Sequence, residues 1–212
     1  MSILTGEISD RPNRAEYPMN ASEAGMSSGS SGSSPVVIDL FCGAGGLSEG
    51  LSQAGIRPVV GVDFDKHAVA TYRHNHPGVP VIEGDVSEVT GEQLMQMAGT
   101  TDIDLIAGGP SCQGFSTHGK RMQDDPRNFL FKHFVRLVDE VRPKMLLMEN
   151  VRGMLTYEKG AFRRQIEAAF QEIGYRTDFA QVVAADYGAP QMRHRILFIG
   201  TRIDDIKLSF PK

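Results

Sequence analysis

Cys112 stands in the stretch Gly109-Pro110-Ser111-Cys112-Gln113-Gly114-Phe115-Ser116, directly after the apolar run DIDLIAG. It is one of two cysteines in 212 residues, and it falls in a Pro/Gly turn at the end of an expected strand. A packing cysteine belongs inside an element. A thiol in such a turn is free to act as a nucleophile, with a thiolate fraction set by nearby positive groups. Glu149-Asn150 closes the run KMLLMEN, and a carboxyl at a neighbouring strand end suits a general acid for that nucleophile. In a purely structural role Glu149 would pair with Arg152. Arg193 and Arg195 alternate in QMRHRILFIG, so a strand would turn both to one face. Two guanidiniums there would hold a carbonyl or phosphate group, or else line a solvated strand edge.

A second group of residues has the types that hold a nucleoside. Gly43, Gly45 and Gly46 in DLFCGAGG permit a tight turn and close approach of a ligand. Asp63 ends the next apolar run, at a spacing from Gly43 that suits a carboxylate gripping ribose hydroxyls. Phe64 is placed either to cover an adenine face or to pack in the core, and Asp85, before Val86, to meet the same ligand or to cap a turn. Leu47-Ser48 follows Gly46, so the G-x-G-x-x-G form is not matched, and the turn by itself leaves NAD, FAD and S-adenosylmethionine folds open. Cys42, beside these glycines, reads as a small packing residue.

The elements that must position these groups alternate regularly. Apolar, β-branched runs at 36–41, 58–63, 79–84, 102–109 and 144–150 predict strands. Helical spacing covers 46–55, 65–75, 90–97 (with Thr90 as N-cap), 127–141 and 161–174. Two final strands, 176–185 and 193–201, are joined by DYGAPQM, which is too short for a parallel crossover, so they pair antiparallel. The expected fold is α/β, Rossmann-like: a mostly parallel seven-stranded sheet ending in an antiparallel pair. Every residue singled out above lies at a loop joining the carboxyl ends of the strands, where such sheets bind ligands.

Residues 1–34 end in MSSGSSGSS and read as a disordered tail or linker, leaving 35–212 as one domain. No apolar run is long enough to span a membrane, the N-terminus lacks a signal pattern, and two cysteines make no disulfide framework. These features predict a reduced, cytoplasmic protein. No metal site is expected. The net charge is −4, but it is uneven. Acidic residues dominate the first 100 positions and basic ones the remainder, with Lys120, Arg121, Arg127 and Arg152 forming a possible basic edge near Cys112.

DLFCGAGG, GGPSCQGFS, ENVRG and QMRHRILFIG, in this order and spacing over residues 35–205, resemble the DNA (cytosine-5)-methyltransferases. The resemblance implies that Cys112 attacks C6 of a cytosine flipped out of double-stranded DNA, and that Glu149 holds and protonates N3. It implies that Asn150 positions the Cys112 loop, that Arg195 contacts the cytosine O2, and that Arg193 supports it. Phe41, Gly43, Gly45, Asp63, Phe64, Asp85, Val86 and Pro110 would fall on the pocket for S-adenosyl-L-methionine, the methyl donor.

Two departures from the family pattern stand out. Ser111 occupies a position where members often have a second proline. The sequence also stops at Lys212, before the variable target-recognition domain and the closing helix that members normally carry. The expectation is a catalytic part whose complement comes from a second polypeptide, or a truncated form, binding the methyl donor weakly and methylating poorly alone. An RNA cytosine methyltransferase and a non-catalytic regulatory partner remain alternatives.

Overall fold

A computed structural model of the chain describes residues 34–111, 130–156 and 160–210. The expected tail, apart from Ser34, lies outside the described residues, as do Cys112, Gln113, Lys120, Arg121 and Arg127.

Seven strands form one sheet: β1 (Val36–Leu40), β2 (Arg57–Asp63), β3 (Val81–Glu83), β4 (Leu105–Gly108), β5 (Met145–Val151), β6 (Arg176–Val183) and β7 (His194–Thr201). Their spatial order is β3-β2-β1-β4-β5-β7-β6. The first five run parallel, and β7 lies antiparallel between β5 and β6. The antiparallel ending read from the short DYGAPQM link is therefore present, with the last strand inserted rather than added at the edge. Residues Ala184–Tyr187 of the link form a short 3-10 turn.

The helices are α1 (Gly46–Gln53), α2 (Lys66–Asn75), α3 (Gly91–Ala98), α4 (Leu130–Val141), α5 (Gly153–Thr156) and α6 (Ala161–Glu172). Asp65 caps α2 by accepting the His67 and Ala68 backbone N–H groups, and Thr90 caps α3 through Gln93 N–H. The one-turn α5 has no helical periodicity for a sequence reading to detect. Helices α3, α4 and α6 pack on one another, and right-handed crossovers put α1 and α2 on the opposite face.

With both faces covered, all five residues of β1 are buried, including the carboxylate of Asp39. The apolar stripe of α4 buries Phe131, Phe134, Leu137, Val138 and Val141. Phe134 meets Phe170 of α6 edge-on at 6.1 Å between centroids, and Phe131 meets Phe162 at 5.1 Å. This packing fixes the start of α4 against the carboxyl end of the sheet. Among the described residues, no helix is long and apolar enough to cross a membrane.

Candidate active site

The chain leaves β1 through Phe41, a non-glycine residue at φ 59°. A left-handed aromatic residue costs on the order of 1–3 kcal/mol and persists only where its surroundings over-determine it. Cys42 N–H continues the ladder to Val62 O at 3.0 Å, and Gly43 N–H then donates to Asp63 Oδ2 at 2.8 Å. Asp65 N–H takes the other oxygen of Asp63 at 2.9 Å, so backbone amides hold this carboxylate from both sides. Gly43 and Gly45 both have positive φ, but they serve different ends. A Cβ on Gly43 would meet nothing, whereas one on Gly45 would overlap the His76 ring. His76 Nε2 lies 3.0 Å from the Gly45 carbonyl oxygen and packs at 4.6 Å on Tyr72. Gly45 thus admits helix α2 to the turn, and it does not line the pocket expected for it.

Outside these strand ends opens a cavity of about 620 Å³, of the size that holds small-molecule ligands. Phe41, Asp63, Phe64, Asp85 and Val86 line it. Gly43 and Pro110 do not line it. Gly43 acts one step back, through Asp63. Phe64 is 76% exposed, which excludes the core reading and leaves a bare ring at the cavity mouth. Asp85 both faces the cavity and caps a turn, accepting Ser87 N–H at 2.8 Å. That bond first, then the Ser87 side chain and nearby His133, hold its carboxyl below the usual carboxylate range. The far wall includes Gly109, Ser111, Leu130 and His133. Leu130 and His133 were missed by sequence reading because α4 signalled only its apolar, core-facing stripe. A carboxylate held for hydroxyls, an uncovered aromatic face and this volume fit an adenosyl group.

The second cluster lies at the ends of β4, β5 and β7. The antiparallel register sets Arg195 opposite Val151, two positions along β5 from Glu149 and so on the same face. The Arg195 guanidinium forms an ion pair with the Glu149 carboxylate. Glu149 therefore has Arg195 as its partner, whereas Arg152 is exposed. Arg193 precedes β7, is exposed, and makes no side-chain hydrogen bond or ion pair among the described residues. The expected strand alternation with Arg195 does not hold for it, because the backbone there turns: Arg193 N–H donates to Gln191 O at 2.8 Å. The Glu149 carboxylate lies over Gly109, where a Cβ would come within 3.1 Å of Oε2. Asn150, 2% exposed, donates from Nδ2 to the Pro110 carbonyl at 3.2 Å. Pro110 is thus an anchor point for the turn leading to Cys112.

The other cysteine is excluded from nucleophilic chemistry. Cys42 is buried, and burial first, then the carboxylates of Asp39 and Asp63, push its thiol up. Its sulfur fills the space a Cβ on Gly61 would need.

Comparison with known proteins gives the family. The family model for C-5 cytosine-specific DNA methylase matches residues 36–212. Type II methyltransferase M1.HphI of Haemophilus parahaemolyticus is 42% identical over 178 residues, covering 82% of this chain and 48% of that protein. Type II methyltransferase M.AquIA of Picosynechococcus is 40% identical, covering 79% of this chain and 72% of that protein. A solved structure described as a DNA modification methyltransferase encoded within a prophage (E. coli) superposes with a TM-score of 0.70 at 40% identity, covering 79% of this chain and 47% of that one. Against most of these relatives the chain spans about half their length.

Proposed function

Starting from a chain that belongs to the C-5 cytosine-specific DNA methylase family, we propose that it carries the catalytic part of a DNA cytosine-5 methyltransferase of a type II modification system. The observation that carries this reading is the Glu149–Arg195 pair, set over Gly109 and beside the Pro110 anchor two residues before Cys112. Cytosine presents O2, N3 and the 4-amino group side by side. A guanidinium next to a carboxyl is complementary to that edge: Arg195 donates to O2, while Glu149 serves N3 and the amine. In the free chain the two groups satisfy each other, and an extruded base would insert between them.

The chemistry requires both clusters. C5 of cytosine is a weak nucleophile. The Cys112 thiolate forms a bond to C6 as Glu149 gives a proton to N3, and the ring electrons become available at C5. S-adenosylmethionine, when bound, supplies the methyl group as an electrophile. Loss of the C5 proton and departure of Cys112, with return of the N3 proton, restore the aromatic ring. Asp63 would hold the ribose of the methyl donor and Phe64 would cover its base. Asn150, through Pro110, sets where the Cys112 turn begins.

The parts of the relatives that this chain does not match leave room for residues that read the DNA sequence, on the same polypeptide or on a second one. An alignment of 178 residues takes up 72% of M.AquIA but 48% of M1.HphI, so the length beyond the matched part differs widely between relatives.

The deciding experiment is methyl transfer from labelled S-adenosylmethionine to duplex DNA and to RNA. It is run with this chain alone and with the neighbouring gene product added, with Cys112→Ala as control. Label on DNA that disappears in the control supports the reading. Label on RNA alone would shift the substrate, and no transfer in any mixture would overturn it. Trapping on DNA containing 5-fluorocytosine tests the covalent step separately.

A further inference from the structure

His133 lies on the first turn and a half of α4 and lines the cavity beside Asp85. Its Nδ1 is buried and has no hydrogen-bond partner among the described residues. Two consequences follow. A ligand can reach this ring only through Nε2. In addition, an N–H buried without an acceptor is among the rarest groups in folded proteins, so the neutral ring keeps its proton on Nε2. His133 therefore offers the cavity one hydrogen-bond donor. Next to it Asp85, ionised, offers an acceptor.

A donor and an acceptor side by side recognise a ligand edge with the complementary pair. A 6-aminopurine has that edge: the exocyclic amine donates, and the flanking ring nitrogens, N1 and N7, accept. A 6-oxopurine replaces the amine by an acceptor and would face the Asp85 carboxylate with like polarity. The geometry points to His133 as a specificity-determining residue that donates from Nε2 to a ring nitrogen flanking the amine of the bound methyl donor's base. This inference rests on the cavity being the S-adenosylmethionine site, and it adds a residue that neither the motifs nor the strand-end pattern marks.

The test uses S-adenosylhomocysteine and its 7-deaza and 1-deaza analogues, each lacking one ring acceptor, titrated into the chain by calorimetry. The parent protein should bind one of the two analogues about three- to tenfold more weakly than S-adenosylhomocysteine, the effect of one lost neutral hydrogen bond. His133→Leu should bind all three alike, at the weaker level. His133→Gln, which keeps a donor on a side chain of similar reach, should restore the discrimination and guards against misreading a folding defect. If the parent binds both deaza analogues as well as S-adenosylhomocysteine, or if His133→Leu still discriminates, the role of His133 is wrong while the cavity assignment stands. If the parent binds S-adenosylhomocysteine not at all, the cavity assignment fails and this inference with it.

Discussion

Asp39 shows what a single residue can impose on the molecule. It sits in β1, fully buried, with Oδ2 accepting the Ser48 hydroxyl at 2.7 Å, the Tyr72 hydroxyl 2.9 Å beyond that, and no partner on Oδ1 among the described residues. Burial, partly offset by the Ser48 bonds, lifts its carboxyl from the ordinary 3.8 to about 7. The sign of the consequence is fixed. Between these values the unfolded chain has released the proton and the folded chain has kept it, so folding stability falls as pH rises through this window and levels off above it. At about 1.4 kcal/mol per pH unit, the parent should lose about 3 kcal/mol between pH 5 and pH 7.5 from this group alone. Urea unfolding at the two pH values should show that loss shrink by about this amount in Asp39→Asn; an unchanged pH dependence would mean that Asp39 is ionised when folded. At the reacting centre, Glu149→Gln keeps the shape but removes the proton donor. Methyl transfer, read from tritium label in DNA, should fall by about 10²- to 10⁴-fold with the unfolding midpoint little changed.

At the scale of elements, the turn from β1 to α1 separates two uses of glycine. Gly43 has φ 54° in open space, while Gly45 has φ 92° against the His76 ring. Gly43→Ala should cost about 1 kcal/mol, from the left-handed backbone alone. Gly45→Ala adds an overlap that must displace His76 and with it the end of α2, so it should cost about 3 kcal/mol. Thermal and urea unfolding of the two variants should rank them in that order, and equal costs would contradict the packing role given to Gly45. The β4–β5 contact makes a parallel case. Asn150→Ala leaves the buried Pro110 carbonyl without its donor, for about 1–3 kcal/mol. Because Pro110 leads into the Cys112 turn, the variant should lose more transfer activity than stability accounts for. Activity measured well below its unfolding midpoint checks that.

For the whole molecule, the sheet order decides what meets what. With β7 inserted between β5 and β6, Arg195 reaches Glu149, 46 positions away in sequence, at the same sheet edge as the β1–β2 cavity. On the function proposed above, the chain holds the groups for the reacting base and for the methyl donor, with net charge −4 to set against a polyanion. Phosphate contacts dominate DNA affinity, so this chain should bind duplex DNA weakly and transfer methyl groups slowly by itself. On the proposed division of labour, adding the neighbouring gene product should raise the rate by orders of magnitude. Robust site-specific transfer by residues 1–212 alone would refute this division of labour.

The sequence by itself carried the alternation of strands and helices, the caps at Thr90 and the glycine turn, the antiparallel ending, and the ordered motifs that mark the family. Those features are local: period, spacing and turn chemistry are written in neighbouring residues. Five cavity positions, Phe41, Asp63, Phe64, Asp85 and Val86, were legible for the same reason, since each ends a strand or lies within a few residues after one. Only the tertiary structure decided the rest. Glu149 could pair with Arg152 or with Arg195 until the β5–β7 register put Arg195 within reach. Gly45 could face a ligand or a helix until His76 filled its side. His133 belonged to an apolar helix in the sequence, and its ring met the cavity only once α4 docked on the sheet edge. Asp39 carried no signal within VVIDL, because its burial depends on helices covering both faces of a central strand. In each case the deciding contact joins segments far apart in the chain, and no local pattern encodes which of several distant partners arrives.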